Sequence, residues 1–234
     1  MVKPQGGKPS MRAFYLTIVA IAVVGIAALS YLASRPRRQV GEWDSSLPKL
    51  TAQGHVIGSD SAKLEVIEFA DMECPACGSW ATVTEPDVRA RLINTGIIRL
   101  RYMDFPLPVH KNTWNAHRAA WCAGDQGKFW EMHDAIYANQ DKWNGETTDN
   151  PDKVLAGIAQ GVGLNMDQYA KCVADRKFQA QIQSNYDEAV RRNVNQTPTF
   201  VFGSQVVPGE LPYDEFKKYV DAAIAAQESA KKAK

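Results

Sequence analysis

The chain has 234 residues, 45% of them hydrophobic, which suits one folded domain of ordinary size plus an appendage and argues against a disordered polymer. Lys and Arg number 27 against 26 Asp and Glu, so no electrostatic bias points to nucleic acid or an acidic polymer as partner.

The first element is apolar. Ala13 to Ser34 carries no charged residue, and as a helix it would reach about 33 Å, enough to cross a bilayer. Lys3, Lys8 and Arg12 precede it and Arg35, Arg37 and Arg38 follow, so the balance of basic residues does not fix its orientation. The segment exceeds the roughly 7–15 apolar residues of a cleaved signal, which favours an anchor. Small residues at Ala28, Ser30 and Ala33 leave cleavage open. Residues 1–12 are then a short N-terminal segment and 13–34 the transmembrane anchor or uncleaved signal.

Residues 35–54 mix Pro36, Gly41, Ser45, Ser46 and Pro48 with charges and read as a linker. The expected domain runs over 55–226, with 227–234 a solvated tail. Leu64–Ala70 is a β-rich run that meets a Cys-Pro step able to open a helix, and Ile97–Met103 alternates as a second strand. Pro86 should kink or interrupt the helix between them. Over about 111–193 the period turns helical: Phe129, Met132 and Ile136 share one face, as do Phe178, Ile182, Tyr186 and Ala189. Asn150-Pro151 and Asn165 with Gln168 mark helix starts. Thr199–Phe202 and Gln205–Val207 flank the turn residues Gly203 and Ser204, and Tyr213, Phe216, Val220 and Ile224 mark a closing helix. The order is βαβ, an all-helical insert, then ββα, an α/β fold.

The chemistry centres on Cys74-Pro75-Ala76-Cys77 at the strand-to-helix junction. Amides at a helix N-terminus stabilise negative charge, so Cys74 is the expected nucleophile and Cys77, one turn on, its resolving partner. Zinc would need further ligands, and no second CxxC or HxxxH accompanies this one, so no metal is expected. A structural bridge here would constrain little chain entropy. Cys122 and Cys172 suit that role better, closing a loop of about 50 residues for about 4 kcal/mol; the alternative is two buried unpaired thiols. Thr197-Pro198 precedes a returning strand and is a candidate cis bond, although most X-Pro bonds are trans. Glu68 lies six residues before Cys74. It reads either as an outward acid on an edge strand or as a buried proton carrier near the thiols. His55, His110, His117 and His133 are scattered and are read as structural or surface residues.

Together, VIEFADMECPACGSW, YMDFPLPVHKN, CAGDQGKFWEMHDAIYANQ and TPTFVFGSQVVPGELP resemble the DsbA-like branch of the thioredoxin superfamily over about residues 54–226. The resemblance implies a thioredoxin-like fold with a helical insert, Cys74 exposed, Cys77 buried, and Pro198 in cis facing them after Thr197. It also implies an acid at Glu68 beneath the site, Pro75, Ala76 and Thr197 against the substrate, and no cofactor. Family members donate disulfides to reduced exported proteins and are reoxidised by a quinone-linked membrane partner. Residues 1–12 would then be cytoplasmic and the domain extracytoplasmic. Ala76 departs from the histidine of strongly oxidising members, which implies a weaker oxidant. A reductase or isomerase on the same fold is the nearest alternative, and a tethered, non-catalytic binding module a more distant one. The linker is too short to hold the dimerisation domain typical of isomerases.

Overall fold

The computed structural model describes residues 11–33, 38–47 and 53–233, and the chain divides into two units, 1–38 and 39–234. Helix α1 (Met11–Ala33) is the described part of the first unit. Its Met11–Tyr31 stretch has a mean hydropathy of 2.3 and no buried residue, and it is long and apolar enough to cross a membrane. Most of the expected segment 1–12 lies outside the described residues, as do Ser34, parts of the linker including Pro36 and Pro48, and Lys234.

In the second unit, β1 (Gly41–Glu42), β2 (His55–Ile57), β3 (Leu64–Ala70), β4 (Ile98–Asp104), β5 (Thr199–Phe202) and β6 (Gln205–Pro208) form one sheet. Their order is β1-β6-β5-β3-β4-β2, with β3 and β4 parallel and every other pairing antiparallel. The strand-helix-strand unit supplies the parallel pair, since a parallel pairing needs a crossover. The helices are α2 (Pro75–Ser79), α3 (Glu85–Val88), α4 (Thr113–Gly124), α5 (Phe129–Ala138), α6 (Gln140–Trp143), α7 (Pro151–Gly161), α8 (Met166–Ala174), α9 (Gln179–Arg191) and α10 (Tyr213–Lys232). The run α4 to α9 is the helical insert.

The stretch expected to be linker does more than connect. Gly41 and Glu42 pair with Val206 and Gln205, and Trp43 stacks beneath the Arg192 guanidinium at 3.9 Å. A two-residue strand is too short to show a period. The expected tail is likewise not loose: α10 continues through Lys232, with its last two turns exposed.

Around Pro86 the α-helix is interrupted, while the helical path continues. Two π-helical turns, Trp80–Thr84 and Arg89–Ile93, flank α3, and the Glu85 N–H reaches back to the Trp80 carbonyl. The wider turn absorbs the donor that proline lacks. Asn165 caps α8 by accepting the Gln168 N–H at 3.0 Å, while Asn150 precedes α7 without a side-chain cap bond.

Alternation along β3 decides what each face meets. Leu64 and Val66 pack with Trp80, Leu92 and Phe216, whereas Phe69 packs with Met103, Val201 and Ala189 toward α9. Glu68 shares the face of Leu64 and Val66. That face carries the helix that begins at Pro75.

Candidate active site

At the end of β3, Asp71 organises the turn into α2. Its carbonyl accepts the Cys74 N–H at 3.1 Å, and its carboxylate accepts the Glu73 N–H at 2.8 Å and the Leu107 N–H at 2.7 Å. Thr113 Oγ1 and, at 2.7 Å, His110 Nδ1 complete the set. Burial pushes the Asp71 carboxyl up, but the His110 hydrogen bond, the His117 charge and the other donors outweigh it and hold it below its ordinary value.

Cys74 caps α2 in an extended conformation (φ −67°, ψ 124°), and Pro75 follows at the first helical position, where its missing N–H costs nothing. The Cys74 thiol is lowered to about 6, first by the hydrogen bond from Cys77 against the cost of burial, then by Thr197 and the Cys77 and Ala76 backbone amides. Cys77 is fully buried, and its thiol is pushed well up by that burial and then by Cys74 and Glu68. The two sulfurs are free thiols with opposed tendencies: one favours the anion, the other resists it.

The Thr197–Pro198 peptide bond is cis, and the Thr197 carbonyl lies 3.5 Å from Cys74 Sγ. Glu68 is 2% exposed on the central strand β3, so the outward, edge-strand reading of this acid is corrected. Burial and then the Glu85 charge raise its carboxyl well above the ordinary value. Its pattern in the strand fixes the face, but only the helices above decide that the face is covered. The structure thus brings Cys74, Pro75, Ala76, Cys77, Thr197, Pro198 and Glu68 into one neighbourhood. Cys122 on α4 and Cys172 on α8 form a disulfide within the insert, with Cα atoms 5.8 Å apart.

The arrangement can perform thiol–disulfide exchange: a readily ionised sulfur at Cys74, which at 8% exposed is buried and not exposed as the resemblance implied, a fully buried partner one turn on, and an acid beneath. Residues 50–222 match the family model described as Thioredoxin. The chain belongs to the DsbA-like branch of the thioredoxin superfamily.

Relatives extend this DsbA-like assignment. The chain is 32% identical over 222 residues to the Na(+)/H(+) antiporter NhaA 1 of Salinispora arenicola, covering 88% of this chain and 32% of that one. It therefore spans about a third of the length of the antiporter relatives it matches. It is 27% identical over 171 residues to the probable disulfide bond formation protein D of Bacillus cereus, covering 72% of this chain and 77% of that one. Oxidised BdbD from Bacillus subtilis superposes with a TM-score of 0.64 at 18% identity, covering 81% of this chain and all of that one, a likeness of fold.

Several residues of this DsbA-like site escaped the sequence reading. Gln140 Nε2 donates to the Met72 and Cys74 carbonyls at 2.8 and 3.0 Å, tying the cysteine turn to the insert. A Cβ added at Gly78 would come 2.6 Å from Gln140 Oε1, so this glycine permits the close approach. Tyr137 donates to the Asp71 carbonyl at 3.3 Å and meets the Tyr102 hydroxyl at 3.2 Å. His117, fully buried, bonds Asp104 Oδ1 through Nδ1 at 2.6 Å and accepts the Met72 N–H at 3.4 Å through Nε2. Beside Pro75, a groove of about 470 Å³ is lined by Glu73, His110, Lys111, Gln140 and Glu146. Asp71 and Tyr137 stood inside motifs already singled out, but nothing in a linear spacing tells that their polar atoms converge.

Proposed function

We propose that this chain is a membrane-anchored, extracytoplasmic thiol–disulfide oxidoreductase that donates disulfides to reduced exported proteins. The observation that carries the reading is the geometry of the pair: Cys74 caps α2 beside the cis Thr197–Pro198 bond and Cys77 lies fully buried one turn on, surroundings that lower the Cys74 thiol to about 6 and push the Cys77 thiol up. Stabilising the Cys74 thiolate stabilises the reduced pair, which makes its disulfide more ready to be passed on.

In the donating direction a substrate thiolate attacks Cys74 Sγ of the oxidised pair. The Cys74–Cys77 bond breaks, Cys77 leaves as a thiolate and takes a proton from Glu68, and a mixed disulfide remains on Cys74. A second substrate thiolate then attacks the substrate sulfur, and Cys74 leaves as the thiolate its site stabilises. Two electrons have passed from the substrate dithiol to the cysteine pair. Cys74, Cys77, Pro198 and Glu68 are the catalytic residues in this reading. Thr197, Pro75 and Ala76 line the substrate strand, with the Thr197 carbonyl positioned to pair with its backbone. A quinone-linked membrane protein then removes the electrons, and α1, as an uncleaved anchor, holds the domain at the surface where that partner sits. Residues 55–226, extended to include β1, form the catalytic domain, with the N-terminal segment cytoplasmic.

The test is the reduction potential of the full chain in detergent against glutathione, with Cys74→Ser as control. A value toward about −120 mV supports donation; one near about −270 mV assigns the protein to reduction. Ala76 favours that second reading, because it supplies no imidazole to the thiolate. A Cys74 value of about 6 lies between the approximately 3.5 of DsbA and 7 of thioredoxin, so an intermediate potential is expected.

A further inference from the structure

A second ionisable cluster is buried beyond Glu68. Glu85, at the start of α3, is fully buried; its Oε1 pairs with Arg89 at 2.7 Å, while Oε2 has no hydrogen-bond partner among the described residues. His133 on α5, 1% exposed, bonds Asp134 Oδ1 through Nδ1 at 2.8 Å. Its Nε2 is also unpartnered and lies 4.0 Å from Glu85 Oε2. Arg89 closes the group with two bonds of 2.7 Å to the Asp134 carboxylate. Asp134 reaches solvent, with its side chain 49% exposed.

On the inner side, Glu68 Oε2 is a third buried atom without a partner. Tyr102, its register neighbour on β4, presents its ring at right angles to His133 with centroids 5.2 Å apart, so Glu68 and His133 border the same buried ring. Glu68 is also close enough to Glu85 for that charge to raise its carboxyl. An unsatisfied buried polar atom costs about 1–3 kcal/mol. Three proton-carrying groups left open in one neighbourhood are therefore poorly explained by stability alone. They have the makeup of a path bridged by internal water or short side-chain rotations.

We propose that Glu85, His133 and Asp134 form a proton path that connects Glu68, and through it Cys77, with solvent at the Asp134 surface. This rests on the exchange reaction proposed above and supplies the step it leaves open, the restoring of the Glu68 proton. Once Glu68 has protonated the departing Cys77 thiolate, its carboxylate is refilled by a proton relayed through Glu85, which rests as the carboxylate paired with Arg89 and takes that proton from His133 before passing it on. An acid in solution, hydronium or a buffer acid, protonates the Asp134 carboxylate; that proton passes to His133 Nδ1 as the Nε2 proton passes to Glu85, and the ring returns to its starting tautomer before the next turnover. One proton enters and one reaches Cys77, and no electron moves along the path. Arg89 is a positioning residue that holds both outer carboxylates. The other titratable groups facing the cluster are Tyr102 on β4, Tyr137 on α5 and His55 on β2.

The test follows reduction of the oxidised full chain in detergent by a dithiol peptide, using stopped-flow tryptophan fluorescence between pH 5 and 9 in light and heavy water. Wild type is compared with Glu85→Gln, His133→Gln and Asp134→Asn, each also assayed for reduction potential and thermal midpoint. The path predicts slowing of about tenfold or more in the two buried variants, with a larger solvent isotope effect and an altered pH profile. The potential of His133→Gln should stay close to wild type, because a path changes a rate and not an equilibrium; Glu85→Gln also removes the charge that raises Glu68, so its rate is compared at matched driving force. Asp134→Asn should slow less and recover when formate is added. Folded variants that match the wild-type rate and isotope effect at every pH overturn the path. So does slowing that is fully accounted for by a shifted potential. If the buried variants fail to fold, Asp134→Asn with and without formate decides. Wild type that exchanges no disulfide at all would instead overturn the underlying function.

Discussion

Cys77→Ala removes the largest influence on the Cys74 thiol, the hydrogen bond between the two sulfurs. A hydrogen bond to a charged group contributes about 1.5–3 kcal/mol, and one pKa unit corresponds to about 1.36 kcal/mol. Cys74 should therefore rise from about 6 to roughly 7–8. At pH 6.5 its thiolate fraction falls from about 76% to between about 3% and 24%, so alkylation by iodoacetamide slows about 3- to 25-fold. Ultraviolet absorbance of the thiolate gives the midpoint directly. Cys77→Ser keeps an O–H donor and should leave it near 6. A Cys77→Ala protein that still titrates at about 6 would refute the assignment and leave the helix N-terminus as the source. The sign of the linkage is fixed by the folded value lying below the ordinary 9.0. The reduced domain holds this stabilisation fully above 9.0 and loses it as pH falls to about 6.

Ala76→His should raise the reduction potential by about 30 mV for each unit by which it further lowers Cys74, read against glutathione; an unchanged value would contradict a role for that position. Replacing Cys122 and Cys172 together by alanine should cost about 4 kcal/mol for a sequence separation of 50, measured by urea unfolding with Cys74 and Cys77 intact. Asp71→Asn keeps the shape but not the charge that holds His110. It should destabilise the fold by about 2–4 kcal/mol and loosen the cysteine turn, visible as faster hydrogen exchange at the Glu73 and Leu107 amides. Because its folded pKa is lowered, wild-type Asp71 contributes stability above the ordinary 3.8 and loses it as pH falls below that value, a loss Asp71→Asn should not show.

Local signals carried much of this fold. The switch from a β-rich run to Cys74-Pro75 is written in consecutive residues, and the faces of α5 and α9 repeat within a few turns. Strand β1 escaped because two residues have no period, and its evidence lies at Val206 and Gln205. The burial of Glu68 depends on which face the crossover helices cover, and no residue near it states that. Besides Glu73, Asp71 draws donors from positions 36 to 42 residues further along. The Glu85–His133 contact spans two elements separated by a strand and a helix. Such convergence is a property of topology, and a single linear pattern cannot express it.

Under the proposed function, the bond between Cys122 and Cys172 places the protein on both sides of its own reaction. A newly made chain carries four cysteines and must have two of them joined before α4 and α8 are tied together. It is thus itself a client of disulfide formation, and under the proposed function an older, oxidised copy is a chemically suitable source of that bond. Once closed, the bond lies among buried residues of the insert. The bond within the insert ties two helices together, whereas the proposed working bond at Cys74 and Cys77 forms and breaks with each turnover.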